Sequence, residues 1–116
     1  MSEEEIFSVD SNKLEWESAP RGYYLTDVKQ KVLWRDERTG ATVALVKFPV
    51  GLADKVHSHP KANQMVFGLE GEYEDKEGNR ISLKGRFSYV PKGVKHGATK
   101  FTKESVLLFF WDGPPI

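Results

Sequence analysis

Apolar and polar residues alternate over short runs along most of this chain. In the run ATVALVKF (41–48) the alternation has a period of two, which is typical of a strand with one buried face. The other runs rich in β-branched and aromatic residues are VKQKVLWR (28–35), QMVFGLEGEYE (64–74), ISL (81–83), FSYV (87–90) and SVLLFFW (105–111). Such residues favour strands, and no window sustains the period of a helix. The pattern predicts an all-β protein, although alternation alone does not show which face is buried.

Turn-forming segments separate these runs at close intervals. DERTG (36–40), DKEGNR (75–80) and PKGVK (91–95) combine glycine or proline with charged residues, as turns do. About eight short strands need two facing sheets to enclose one core. A chain of 116 residues supplies one such core but not two. We therefore predict a single antiparallel jelly-roll domain.

Charge and composition exclude several classes of function. Lys and Arg number 17, and so do Asp and Glu, so no net charge attracts nucleic acid or an anionic membrane. No apolar run is long enough to span a bilayer, and the N-terminus is acidic where a signal peptide is basic. We therefore expect a cytoplasmic protein. The chain has no cysteine, which excludes disulfides, thiolate metal sites and cysteine nucleophiles.

The N-terminal segment differs from the rest of the chain. Its first twenty residues carry six acidic side chains and one lysine, and its apolar residues are spaced rather than clustered. We predict that residues 1–22 form an arm that packs on the barrel or on a second subunit, and that residues 23–116 form the barrel. A partly disordered acidic tail is the alternative.

The stretch HSHPKANQ (57–64) carries the candidate chemistry. His57 and His59 are two residues apart, so on a strand both imidazoles point to the same face. Gln64 follows Pro60, which bends or ends the strand, and His96 is the third and last histidine of the chain. Three imidazoles and one amide oxygen suit one divalent transition metal (iron, manganese, nickel or zinc), with positions left open for a ligand. The alternative is that these histidines are polar residues of an exposed strand.

Two longer motifs extend this pattern. Residues 51–71 read GLADKVHSHPKANQMVFGLEG, and residues 85–100 read GRFSYVPKGVKHGATK. In spacing, the first resembles the first motif of the cupins, with glutamine in place of glutamate at Gln64. The second resembles the second cupin motif as far as His96, with Lys100 where asparagine is usual. The chain therefore resembles a small single-domain cupin.

This resemblance implies a double-stranded β-helix, or jelly-roll barrel, with one metal ion held by His57, His59, Gln64 and His96. It also implies a homodimer. A neutral glutamine leaves the ion its full formal charge, which favours an anionic or enolate-like ligand. Cupins with three histidines and a glutamine occur in sugar-acid processing and in lyase chemistry. We expect a metal-dependent enzyme for a small organic acid or carbonyl compound, of the isomerase, lyase or dioxygenase type.

Two other functions remain open at this point. One is a non-catalytic cupin that binds a small molecule or metal as a sensor or storage module. The other is a barrel in which the metal only stabilises the fold. Substrate identity and the native metal do not follow from the sequence.

A catalytic base is harder to identify than the metal ligands. No pair of carboxylates has the spacing of two-carboxylate catalysis, so Tyr89 is the candidate side chain, beside a hydroxide on the metal. We expect most of the bulky residues near the motifs to be core, and these are Met65, Phe67, Phe87, Tyr89, Phe109 and Trp111.

Overall fold

A computed structural model describes residues 5–115 of the chain. The strands are β1 (Glu17–Ser18), β2 (Lys29–Arg35), β3 (Thr42–Phe48), β4 (Gly51–Leu52), β5 (Gln64–Glu74), β6 (Arg80–Ser82), β7 (Phe87–Val90) and β8 (Lys100–Trp111). The helical content of the described residues is one short 3-10 helix, Ser11–Lys13. The prediction of an all-β protein is confirmed. Within residues 5–115, no helix has the length and apolar character needed to cross a membrane.

All eight strands belong to one antiparallel sheet. Its order is β1-β2-β3-β8-β5-β6, and β4 pairs with β8 while β7 pairs with β5. The long strand β8 is central, because it pairs with β3, β5 and β4. This arrangement brings strands that are distant in sequence to either side of residues 100–111.

The buried side chains of the central strands form rows across the sheet. The alternate residues Ala44, Val46 and Phe48 of β3 are all at most 4% exposed. Register pairs Ala44 with Phe109 and Val46 with Leu107, so each row continues from β3 into β8. Each buried Val, Leu or Phe in these rows contributes about 2 kcal/mol to stability. The alternation of 41–48 therefore has its Ala44 face inside.

Gly68 marks the point where β5 changes partner. Before it, β5 pairs with β7, and after it β5 pairs with β6. A Cβ at Gly68 would lie 1.9 Å from the carbonyl oxygen of Leu83, so only glycine allows the chain between β6 and β7 to pass this close. The amide of Gly85 then donates to Gly68 O at 2.9 Å and closes the crossing.

Residues 11–18 of the N-terminal segment contact the outer face of the sheet. The ring of Trp16 lies under two ammonium groups, with Lys31 Nζ at 4.7 Å and Lys47 Nζ at 4.5 Å from its centroid. Lys31 Nζ also donates to Ser11 O at 2.9 Å. Ile6 and Phe7 remain 97% and 61% exposed. The division into an arm and a barrel at residue 22 stays a prediction.

The outer face of the sheet is apolar as well. Two cross-strand rows point outward, and they consist of Val43, Phe110, Met65 and Tyr89, and of Leu45, Leu108, Phe67 and Phe87. Phe67, Phe87 and Tyr89 are 42%, 62% and 53% exposed. The expectation that most bulky residues near the motifs are core is wrong for these three, because the register of β5 and β7 turns them outward. Phe109 and Trp111 are buried as expected.

Candidate metal centre

Backbone pairing brings the third histidine to the other two. His57 N–H donates to His96 O at 2.7 Å, and His96 N–H donates to His57 O at 2.8 Å. These two bonds form an isolated antiparallel bridge, although the residues are far apart in sequence. The rings of His57 and His96 lie 4.4 Å apart, and His59 lies 5.1 Å from the first and 5.0 Å from the second, between ring centroids. The sequence prediction that the three histidines converge is therefore correct.

Each imidazole is oriented by a backbone carbonyl. His57 Nδ1 lies 2.6 Å from Lys55 O, and His96 Nδ1 lies 3.1 Å from Val94 O. His59 Nδ1 lies 2.9 Å from Pro115 O, at the end of the described chain. A carbonyl only accepts, so in each ring the hydrogen is on Nδ1 and the lone pair is on Nε2. Histidines that bind a metal through one ring nitrogen usually donate the N–H of the other to a carbonyl or carboxylate in this way.

The remaining ring nitrogens fit a metal ion. His59 Nε2 and His96 Nε2 are buried without any hydrogen-bond partner. Candidate ligand atoms of the three histidines all lie within 4.8 Å of one another. In histidine sites with metal–nitrogen bonds of about 2.1 Å, ligand nitrogens lie roughly 3 to 4 Å apart, so little adjustment is needed. Buried lone pairs without donors are costly, and a divalent cation satisfies them.

The site also keeps its histidines in the protonation state that binds metal. Burial, followed by repulsion from His96 and His57, lowers the pKa of His59 to about 4. Burial also lowers the pKa of His57. Both rings are therefore neutral at pH 7, and their Nε2 lone pairs are available to a cation.

Gln64 lies next to this cluster and is 6% exposed. Gln64 of β5 is paired with Trp111 of β8 in the sheet. The indole Nε1–H of Trp111 donates to Gln64 Oε1 at 2.8 Å. The side-chain amide of Gln64 also lies close to His59 and acts to raise the pKa of that imidazole, against the larger effect of burial. An amide oxygen has two lone pairs, so the bond from Trp111 leaves one for a cation. The role of Gln64 as a fourth ligand stays a prediction.

A cavity of about 250 Å³ adjoins the centre. His57, His96 and Gln64 line one part of it. The apolar part of the remaining wall comes from Phe48, Val66, Leu83, Val90, Phe101, Leu107 and Phe109. The polar part includes Arg86, Ser88 and Thr99. A wall of this kind favours a small, partly apolar ligand.

Two side chains at the centre were missed by the sequence analysis. Tyr23 stacks on His57 with ring centroids 3.6 Å apart and an angle of 8°. Asp54 is 8% exposed and lines the cavity, although the segment around it reads as a turn. The backbone bridge between Tyr24 and Asp54 brings both into place. Because that pairing joins distant segments, no local pattern signals it.

Tyr89 lies elsewhere. Its side chain points to the outer face of the sheet, in the row opposite Met65, and it is not among the residues that line the cavity. The neighbouring Ser88 and Val90 line the cavity instead, since successive residues of a strand face opposite sides. The catalytic role of Tyr89 stays a prediction.

Comparisons with known proteins identify the family of the chain. The model of one protein family, described as the ChrR cupin-like domain, matches residues 4–115. No curated protein sequence matches the chain.

Three solved structures of similar fold illustrate the likeness to this chain. An acetylacetone dioxygenase from Acinetobacter johnsonii is 19% identical with a TM-score of 0.72, and the match covers 97% of this chain and 76% of that one. KdgF from a Halomonas species is 22% identical with a TM-score of 0.65, over 89% and 90% of the two chains. A chain from the complex of Rhodobacter sphaeroides SigE with the anti-sigma ChrR is 18% identical with a TM-score of 0.63, over 86% and 50%. At these identities the likeness shows the fold alone, and the predicted jelly-roll barrel is confirmed.

Removal of a single histidine should empty the centre. We expect His57→Ala, His59→Ala and His96→Ala each to lose most of the bound metal, because two imidazoles hold a divalent ion far more weakly than three. Gln64→Ala should weaken binding without abolishing it. The measurement is elemental analysis, as metal per chain, of protein prepared without chelators or nickel resin. Asn12→Ala, in the N-terminal segment, is the control. A triple histidine variant that kept a full metal equivalent would show that the ion binds elsewhere.

Acid should destabilise the metal-free protein through His59. The pKa of His59 is about 4 in the folded chain against 6.5 for a free histidine, so between these values the unfolded chain takes up a proton that the folded chain does not. The free energy of unfolding should fall as the pH falls from 6.5 to 4, by up to about 3 kcal/mol. Urea titration of chelator-treated protein at several pH values measures this. His59→Gln should flatten the slope, and an unchanged slope in that variant would contradict the assignment.

Proposed function

The chain belongs to the family of ChrR cupin-like domains, and we propose that it is a metal-dependent enzyme for a small organic acid or carbonyl compound. The observation that carries this proposal is the position of the three-histidine centre at the wall of a cavity. A metal that only stabilises a fold is surrounded by protein ligands, whereas a catalytic metal keeps positions open to a substrate. His57, His59 and His96 supply three ligands, and Gln64 supplies at most one more.

The donor set favours a particular kind of ligand. All four proposed donors are neutral, so a divalent ion bound here keeps its formal charge. When bound, such an ion supplies positive charge that stabilises an oxygen anion on the substrate or polarises its carbonyl group. The apolar part of the cavity wall lowers the local dielectric constant and strengthens this attraction. The site therefore suits a substrate that coordinates through oxygen and becomes anionic.

The size of the cavity limits the substrate. Pockets for drug-sized ligands have volumes of roughly 300–1,000 Å³. The 250 Å³ available here accommodates a smaller molecule. One of the structural relatives is named as an acetylacetone dioxygenase. A small 1,3-diketone meets the requirements of size, oxygen donors and conversion to an anion, and we take it as the first substrate class to test.

Turnover of acetylacetone tests this function directly. We expect protein loaded with Fe(II) to consume acetylacetone and dioxygen together, and His96→Ala treated in the same way to consume neither. Oxygen uptake is followed with an electrode and loss of the diketone by its absorbance. Manganese, nickel and zinc forms and an unsaturated sugar acid are tested in parallel, because isomerase or lyase chemistry needs no oxygen. Tyr89→Phe at the wild-type rate would remove Tyr89 as the base.

A non-catalytic binding module is the second candidate. The family is described by the ChrR domain, and a chain from the SigE complex with the anti-sigma ChrR has the same fold. Tight binding of a diketone or sugar acid, with no turnover by any of the four metal forms, would favour this alternative. The cytoplasm stays the expected location for either function.

We also propose that the protein is a homodimer formed through the outer face of the sheet. The two outward rows expose apolar side chains, with Phe87 62% and Phe67 42% exposed. Ile6 and Phe7 are a second exposed apolar surface of the same chain. Exposed apolar area of this kind marks an interaction site. A second copy of the chain that packs on these rows buries the same residues on each partner, as a two-fold interface does.

A charge on this face should separate the subunits. We expect Phe87→Asp to convert a dimer to a monomer, since a carboxylate buried in an apolar interface is costly. Light scattering coupled to size-exclusion chromatography measures the mass, and metal content shows that the barrel is intact. Leu52→Asp, which changes an exposed residue away from these rows, should leave the dimer unchanged. A wild-type protein that is monomeric at high concentration would refute the dimer.

A further inference from the structure

Asp54 is a buried carboxylate beside the metal centre. Its side chain is 8% exposed and lines the same cavity as His57 and His96. The cluster of candidate ligand atoms comprises the three histidines and does not include Asp54. Among residues 5–115, no lysine or arginine forms an ion pair with it. A buried carboxylate that is neither a ligand nor part of an ion pair is unfavourable for folding, and in a cavity it suggests a chemical role.

The backbone around Asp54 is fixed on both sides. Thr99 N–H donates to Asp54 Oδ1 at 3.1 Å, and Ala53 N–H donates to Thr99 O at 2.9 Å. Lys55 N–H donates to Tyr23 O at 2.9 Å. These bonds hold the carboxylate in one position relative to the cavity, as a group that takes part in catalysis requires.

The groups around Asp54 act on its pKa in both directions. The titratable groups that face it are Tyr23, Tyr24, His57 and His96. Burial raises the pKa of Asp54 and is the largest effect, while the N–H of Thr99 and the two histidines act in the opposite direction. Burial also raises the pKa of both tyrosines, so their hydroxyls stay neutral and do not compete for a proton.

We propose that Asp54 is the general base that removes a proton from a carbon next to the carbonyl group of a substrate in this cavity. The inference rests on the function proposed above and deepens it, because it defines the substrates as carbon acids. In this step the substrate C–H bond breaks and the proton forms an O–H bond with the Asp54 carboxylate. The electron pair moves onto the carbonyl oxygen and gives an enolate.

The charge balance of this step favours it in a buried site. The carboxylate becomes neutral as the enolate becomes negative, so the net charge inside the cavity does not change. Creating a new charge in a medium of low dielectric is expensive, whereas moving an existing one over a short distance costs much less. The step therefore transfers the negative charge from the Asp54 carboxylate to the oxygen of the substrate.

A purely structural role is the alternative, because Asp54 also accepts the N–H of Thr99, three residues after His96. Asp54→Asn separates the two roles. Asparagine keeps an oxygen that accepts this bond but is not a base. The matched control is Asp27→Asn, since Asp27 is exposed and pairs with Lys29 at 3.1 Å.

The experiment counts the protons released when acetylacetone binds. The full chain is loaded with zinc, which has no redox chemistry, and binding is measured by calorimetry at pH 7 in two buffers of different ionisation enthalpy. The wild type and Asp27→Asn should retain the proton and release close to none. Asp54→Asn should release about one proton per bound enolate and bind roughly tenfold more weakly. Zinc content and melting temperature are recorded for each variant.

The outcomes separate the two proposals. If the wild type and Asp54→Asn both release about one proton, Asp54 is not the base, although the diketone function stands. If neither binds acetylacetone, the diketone function fails and the role of Asp54 fails with it. If Asp54→Asn binds acetylacetone and retains the proton as the wild type does, another group holds it and the proposal is wrong. Retention by the wild type and Asp27→Asn with release by Asp54→Asn supports it.

Discussion

The pairing of β8 with two neighbouring strands is the constraint on which the rest of the structure depends. Residues 105–111 of this strand pair with β3 on one side, and residues 100–111 pair with β5 on the other. Because the register is set on both sides, each inward residue of β8 continues a row that crosses three strands. The last row consists of Thr42, Trp111 and Gln64, which places the indole N–H of Trp111 against the amide oxygen of Gln64. A slip of one residue would turn this row outward and remove Gln64 from the site.

The chemistry of the centre follows from how the backbone uses its carbonyl groups. Three carbonyls, from Lys55, Val94 and Pro115, accept hydrogen bonds from the Nδ1 atoms of the three histidines. Each bond contributes about 1 kcal/mol to stability, but its main effect is to leave Nε2 without a hydrogen and directed inward. Burial keeps His57 and His59 neutral, at a cost to the folded state that a bound cation offsets. The metal-free centre is therefore a destabilised part of a stable barrel.

The sheet is apolar on both faces, and the two faces have different uses. The inner face lines the cavity, while the outer face remains exposed in the single chain over the rows that include Phe67 and Phe87. Strands that are covered on both faces show continuous apolar runs, and VLLFFW (106–111) is such a run. The aromatic residues of the outer face, such as Phe67 and Phe87, belong neither to the core nor to the cavity wall. The N-terminal segment covers only a small part of this outer face, where Trp16 lies against Lys31 and Lys47.

The sequence by itself determined the all-β class, the turns and the three histidines, because these depend on local periodicity and on spacing within two motifs. His57 and His59 share a face for the simple reason that strand residues alternate. Only the tertiary structure decided which face of each strand is inside, and this is why Tyr89 lies outside while Ser88 and Val90 line the cavity. Tyr23 and Asp54 reach the centre through the bridge between Tyr24 and Asp54, which joins segments thirty residues apart in the chain. Contacts of that kind leave no periodic signal in the sequence, since they depend on how the whole sheet closes and not on the neighbours of any one residue.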